Sequence, residues 1–189
     1  MFDLSGRTAL VTGAGQGMGF GIAKALASAG ADVFVNDLYA GRAEKAAKDI
    51  GAAAVPGDIT DSDVRASIAS TIGDLDILVN NAGVPEGMPT SLAHADKLSD
   101  ADYQRQMDLN HHAVRGFCNL FVPGMRTRGH GRVLVITSES HRLGLAMGLS
   151  HYAAAKSATL GYMRALAAEA GHDGVTMNAL SLGTMNNFE

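Results

Sequence analysis

Tyr152 and Lys156 stand four residues apart in an alanine-rich stretch of helical pattern, so both side chains fall on one face, a turn apart. Such a pair can transfer protons. The free phenol titrates at about 10, and lowering it by about three units takes roughly 4 kcal/mol, near what one close cation supplies at an effective dielectric of 20. The same spacing also occurs on ordinary helix surfaces, so the pair gains meaning only from its surroundings. Ser138 closes the apolar run Val135, Ile136, Thr137. A hydroxyl at a strand's carboxyl end is where an open α/β sheet keeps its chemistry. Ser138 precedes Tyr152 by 14 residues, and Ser140 competes with it for the role of binding a substrate oxygen.

A second constellation follows the first apolar run, where Thr12 leads into Gly13, Ala14, Gly15, Gln16, Gly17, Met18 and Gly19. Glycine lets the backbone turn tightly enough for its N–H groups and a helix amino terminus to hold a pyrophosphate. The spacing G-x-G-x-x-G fits in no frame, whereas T-G-x-x-x-G-x-G fits Thr12, Gly13, Gly17 and Gly19. Asp37, followed by Leu38, ends the second run 24 residues after Gly13. A carboxylate there can accept hydrogen bonds from the adenosine ribose hydroxyls of NAD. The 2'-phosphate of NADP would meet a like charge, at a cost of roughly 4 kcal/mol per unit pair at about 4 Å before screening. No arginine or lysine flanks Asp37 in the sequence and Gln16 is neutral, so the pattern favours NAD. The alternative for Asp37 is a solvated turn residue.

Asp58 and Ile59 follow the third run, and Asn80, Asn81, Ala82 and Gly83 follow the fourth. Taken in order, these motifs resemble the short-chain dehydrogenase/reductase family over nearly the whole chain. The resemblance implies hydride transfer between NAD(H) and a secondary alcohol or ketone, with Tyr152 as the acid–base group and Ser138 on the substrate oxygen. Lys156 would lower the Tyr152 pKa and bond the ribose. Asn110 would break its helix locally and hold a water that links the lysine to solvent. The cofactor would lie along Gly13, Gln16, Gly17, Met18 and Gly19, then Asp37 and Leu38 at the ribose, Asp58 and Ile59 at the adenine, and Asn81, Ala82 and Gly83 at the nicotinamide ribose. Tyr152, Lys156, Gly183 and Thr184 would complete the nicotinamide end. Leu182 replaces the proline usual in the family's N-x-x-x-P-G segment, which begins here at Asn178, and Asn187 stands where a threonine is common. Both departures bear on nicotinamide-side contacts. Competing readings are a reductase using NADPH and an NAD-binding scaffold without turnover.

The elements that must carry these residues are apolar β-branched runs alternating with alanine-rich helical stretches, the pattern of repeated βαβ units. Strands are predicted at Arg7 to Thr12, Asp32 to Asn36, Ala53 to Pro56, Leu75 to Asn80, Arg132 to Thr137 and Val175 to Leu180. Helices are predicted at Gly17 to Ala29, Gly41 to Ile50, Asp61 to Ile72, Asp100 to Arg126 with a break near Leu109, and His151 to Ala170. Right-handed crossovers then give one domain, residues 1–189, with a doubly wound parallel (Rossmann) sheet of six strands. Ser99 and Asp102 resemble a capping box, Pro123 predicts a kink or early helix end, and Val84 to Leu98 reads as a long loop.

With net charge -4 and no basic block, neither nucleic acid nor an anionic membrane surface is an expected partner. The single cysteine, Cys118, lies in an apolar run and reads as a small buried hydrophobe, which with the absence of a leader pattern predicts a cytoplasmic protein. His111 and His112 project about 100° apart on a helix, so no metal site is expected. The family's usual seventh strand and substrate lid have no counterpart before Glu189. Helices Leu109 to Arg126 and His151 to Ala170 carry enough apolar surface to predict a homodimer or homotetramer, and the substrate is expected to be a small alcohol or carbonyl compound.

Overall fold

In the computed structural model, residues 2–83, 93–144 and 146–183 are described. Six strands form one parallel sheet in the order β3-β2-β1-β4-β5-β6. They are β1 Thr8–Val11, β2 Asp32–Val35, β3 Ala53–Ala54, β4 Ile77–Asn80, β5 Gly131–Ser138 and β6 Val175–Leu182. The helices are α1 Gly17–Ser28, α2 Ala40–Ile50, α3 Ser62–Ile72, α4 Asp100–Met107, α5 Ala113–Thr127, α6 Ser140–Leu143 and α7 Ser150–Ala170. This is the doubly wound architecture expected. The strand order reverses between β1 and β4, opening a crevice at their carboxyl ends.

Each sheet face is sealed differently. On one side Ala9, Val11, Val33, Val35 and Val79 pack on Ala23, Ala43, Ala46 and Ala47, so α1 and α2 meet the sheet through methyl groups and lie close to it. On the other side Leu10, Leu78, Val133 and Val135 meet the larger Phe117, Phe121, Met125 and Met163 of α5 and α7. Burial on both faces explains the continuous apolar runs in β1, β4 and β5. Cys118 belongs to this second core, and burial pushes its thiol up to about 12.

Strand β3 is only two residues long, although Val55 N–H and Gly57 N–H still bond the Val35 and Asp37 carbonyls at 2.9 and 3.0 Å on either side of Pro56. The capping box forms: Asp102 N–H donates to Ser99 Oγ at 3.2 Å and Ser99 N–H to Asp102 Oδ2 at 3.1 Å. Pro123 does not end its helix early. Helix α5 runs on to Thr127, and the buried Val122 and Met125 on either side offset the one main-chain bond the proline forfeits. The expected break near Leu109 is a π-helical turn, Asp108–His112, between α4 and α5. Helix α6 has no counterpart in the sequence reading, since one turn is too short to show a period.

Candidate active site

The crevice at the reversal is built by close approach of two loops. A Cβ on Gly13, which has φ +60°, would lie 2.9 Å from Ala82 Cα, and one on Gly19 would lie 2.3 Å from the Gly13 carbonyl oxygen. Only glycine fits either place. Thr12 Oγ1 receives the N–H groups of Asn81 and Ala82 at 3.0 and 3.1 Å, while Asn81 Nδ2 donates to the carbonyls of Thr12 and Gly13 at 2.9 and 3.0 Å. Helix α1 therefore starts from a fixed point. Its amino end has no side-chain cap and no acidic residue in the first turn, so its N–H groups remain suited to an anion. Gln16 and Gly17 are exposed there, and Met18 is half-buried.

Asp37 stands just beyond β2 with its carboxylate folded back on the glycine loop: Oδ2 accepts from Gly15 N at 3.0 Å and Oδ1 from Tyr39 N at 3.2 Å. Each oxygen keeps a lone pair for a further donor. Gly15 also has no room for a Cβ, which would lie 2.6 Å from Asp37 Oδ2 and 2.7 Å from Arg42 Cβ. Arg42, five residues on in α2, returns over the loop and lies 4.6 Å from the centre of the Tyr39 ring. Leu38 is exposed at the same rim.

Asp58 is exposed and binds Thr60 through Oδ1, with N at 2.9 Å and Oγ1 at 2.8 Å, while Asp61 takes the cap of α3. Ile59 turns its side chain into the core, so only its main chain can face the crevice. Gly183 is exposed at the end of β6. Thr184 and Asn187 lie outside the described residues, as does most of the loop predicted at Val84 to Leu98.

At the carboxyl end of β5, Ser138 and Tyr152 come together. Burial pushes the Tyr152 phenol above its ordinary value, and its hydrogen bond with the Ser138 side chain opposes this. Ser140 instead opens α6: its N–H donates to Ser138 Oγ at 3.3 Å and its own hydroxyl is buried. Lys156 Nζ lies 5.5 Å from the centre of the Tyr152 ring and donates to Ile136 O at 2.9 Å. Lys156 is 3% exposed, and burial lowers its amine to about 8. The expected lowering of the Tyr152 pKa is not realised in this geometry, because burial prevails and Nζ is turned to a strand carbonyl.

Asn110 sits in the π turn, fully buried. Its Nδ2 donates to Gln106 Oε1 at 2.9 Å and its main-chain oxygen accepts from Thr159 Oγ1 at 2.6 Å. A Cβ on Gly83 would lie 2.7 Å from Lys156 Nζ and 2.8 Å from Asn110 Oδ1, so these two atoms flank one point beside the Asn81–Gly83 loop. Gln106, Thr159 and Arg42 escaped the sequence reading. The first two stand one turn from Asn110 and Lys156 respectively, a spacing that could have suggested them.

Residues 7–188 match the family model described as short chain dehydrogenase. The chain belongs to the short-chain dehydrogenase/reductase family. It is 34% identical to the oxidoreductase UcpA of Salmonella typhimurium over 97% of this chain and 71% of that protein. Among solved structures it superposes on a short chain dehydrogenase/reductase family protein with a TM-score of 0.89 and 38% identity, covering 95% of this chain and 75% of the other. A metagenomic short-chain oxidoreductase in complex with NADP gives a TM-score of 0.85 at 27% identity, covering 96% and 84%. Membership makes this chain an oxidoreductase of the kind that uses a nicotinamide cofactor on small molecules. Among the described residues no helix is long and apolar enough to cross a membrane.

Proposed function

We propose that this chain oxidises a secondary alcohol, and reduces the corresponding ketone, with NAD as its cofactor. The observation that carries the reading is the juxtaposition of Ser138, Tyr152 and Lys156 at the carboxyl end of β5, next to a glycine-lined crevice. The crevice fits a dinucleotide: the places where Gly13, Gly15 and Gly19 admit no Cβ bring main-chain N–H groups to its floor, and Asp37 offers acceptors at its far end. The uncapped start of α1, with Gln16, Gly17 and Met18, would hold the diphosphate. Asp58 and the Ile59 main chain would meet the adenine, Asn81, Ala82 and Gly83 the ribose of the nicotinamide, and Gly183 and Thr184 its ring end. Bound NAD supplies the acceptor for the hydride of the carbinol carbon.

The chain's own groups manage the proton. Ser138 holds the substrate oxygen by a hydrogen bond, and Tyr152 takes the hydroxyl proton in oxidation or gives it in reduction. As the raised phenol stands, it is poised as an acid, so oxidation needs added positive charge near it. Lys156, protonated below about 8, would supply one charge and would bond a ribose hydroxyl. Asn110 turns Oδ1 toward the same side and completes the path by which the lysine exchanges protons with solvent.

One observation favours a second reading for the cofactor. Arg42 has its Cβ beside Gly15 and its guanidinium over the Tyr39 ring, and one structural relative was solved with NADP. Asp37 nevertheless holds the position closest to the loop, and the charge argument keeps NAD first. A panel of alcohols and ketones, followed by the absorbance of reduced nicotinamide with each cofactor, tests the proposal. Turnover with NAD at a lower Michaelis constant than with NADP is expected, and no turnover with either would refute it.

The working form is a dimer through α5 and α7. Their outer surfaces form a groove lined by Cys118, Val122, Tyr162 and Leu166, with Arg126 and Asp173 at its rim. Light scattering should give twice the chain mass, and a monomer would exclude this arrangement.

A further inference from the structure

The Asn110 turn is gripped from α7 by a residue outside the four groups assigned to proton transfer. Thr159 lies three residues after Lys156, so the helix face that presents the lysine also presents the threonine. Thr159 is fully buried, and its hydroxyl donates to the Asn110 main-chain oxygen at 2.6 Å. A π turn shifts its carbonyls out of the regular i to i-4 ladder, so a side-chain donor at this point holds the turn in place.

A second contact fixes that donor's direction. His111 Nδ1 lies 3.3 Å from Thr159 Oγ1. A carbonyl only accepts, so the single hydroxyl proton of Thr159 is committed to Asn110, and His111 must present Nδ1–H to the hydroxyl lone pair. The histidine is held in turn against the edge of Tyr162, with ring centres 6.1 Å apart. The result is a directed chain from His111 to Thr159 to Asn110, at whose end Asn110 Oδ1 and Lys156 Nζ flank Gly83.

We propose that Thr159, oriented by His111, is a positioning residue that sets the Asn110 turn against Lys156 and so governs the rate of proton exchange at the site. This rests on the proposed oxidoreductase function. It adds a role for a hydroxyl that the Ser, Tyr, Lys and Asn groups do not include.

Thr159→Val keeps the shape and removes the donor, while Thr159→Ser keeps the donor. The Val variant should lose about tenfold in kcat with cofactor KM within about twofold, and the Ser variant should stay within about twofold of wild type in both. Nitrogen-15 NMR of the imidazoles gives a readout independent of turnover: His111 should carry its proton on Nδ1 in wild type and Ser variant and lose that preference in the Val variant. Wild-type kcat in the Val variant, or an unchanged His111 tautomer there, would overturn the proposal. If the wild type turns over no substrate, the oxidoreductase reading fails by itself. The positioning claim is then decided by Lys156, followed in protein with carbon-13-labelled lysine: its titration should move in the Val variant and not in the Ser variant, and an unmoved titration overturns the claim.

Discussion

Lys156 Nζ and Asn110 Oδ1 both border the place a Cβ would take on Gly83, at 2.7 and 2.8 Å. Three segments distant in the chain, the π turn, helix α7 and the loop after β4, converge there. A methyl group on this glycine would displace either the buried amine or the buried amide oxygen.

Burying that amine costs stability. A Lys156 pKa lowered from 10.5 to about 8 corresponds to about 3 kcal/mol against the charged form. Loss of the hydrogen bond to Ile136 O offsets about 1 kcal/mol of any gain. Lys156→Met should therefore raise stability by about 2 kcal/mol at neutral pH while removing turnover. Between about 8 and 10.5 the unfolded chain binds the proton that the native chain has lost, so native stability from this group rises with pH and the variant's advantage fades toward 10.5. Urea melts at pH 7 and pH 10 check this. A variant less stable than wild type at pH 7 would show that the amine is not strained by its burial.

The two reaction directions should differ in pH dependence. Burial raises the Tyr152 phenol, so the protonated form prevails at neutral pH and serves ketone reduction directly. Alcohol oxidation needs the phenolate, and its rate should climb by up to about tenfold per pH unit between about pH 6 and 9. Initial rates at saturating substrate in both directions decide the matter. An oxidation rate flat over that range would remove Tyr152 from the proton-transfer step.

Cofactor choice should hinge on Asp37. Asp37→Ala removes the carboxylate that binds Gly15 and Tyr39 while leaving Arg42 beside the loop. The ratio of kcat/KM for NAD to that for NADP should fall by about tenfold or more. An unchanged ratio would place Asp37 away from the adenosine ribose.

Much of this arrangement was legible in the chain, for reasons that differ by residue. The run Ala9, Leu10, Val11 announces a strand covered on both faces, and the glycines after it announce a turn that only glycine can make. Tyr152 and Lys156 share a helix face, so their relation is local and can be read from spacing. Thr159 and Asn110 are 49 residues apart and meet only because a π turn redirects a carbonyl, which no propensity reports. Arg42 was missed although only five residues separate it from Asp37, because only the fold brings its Cβ to 2.7 Å from the place a Cβ would take on Gly15. The raised phenol was also unreadable, because desolvation depends on what covers Tyr152 and not on its neighbours in sequence.

The central claim is that Tyr152 moves the proton while the nicotinamide takes the hydride, and it is tested most directly by comparing wild type with Tyr152→Phe. Absorbance of reduced nicotinamide reports turnover on the alcohol and ketone panel, and fluorescence titration reports affinity for NADH. The account predicts turnover in the wild type, none detectable in the Phe variant, and NADH affinities within a few-fold of each other, because only the ionisable hydroxyl is lost. Turnover by the Phe variant at a rate near wild type would contradict it.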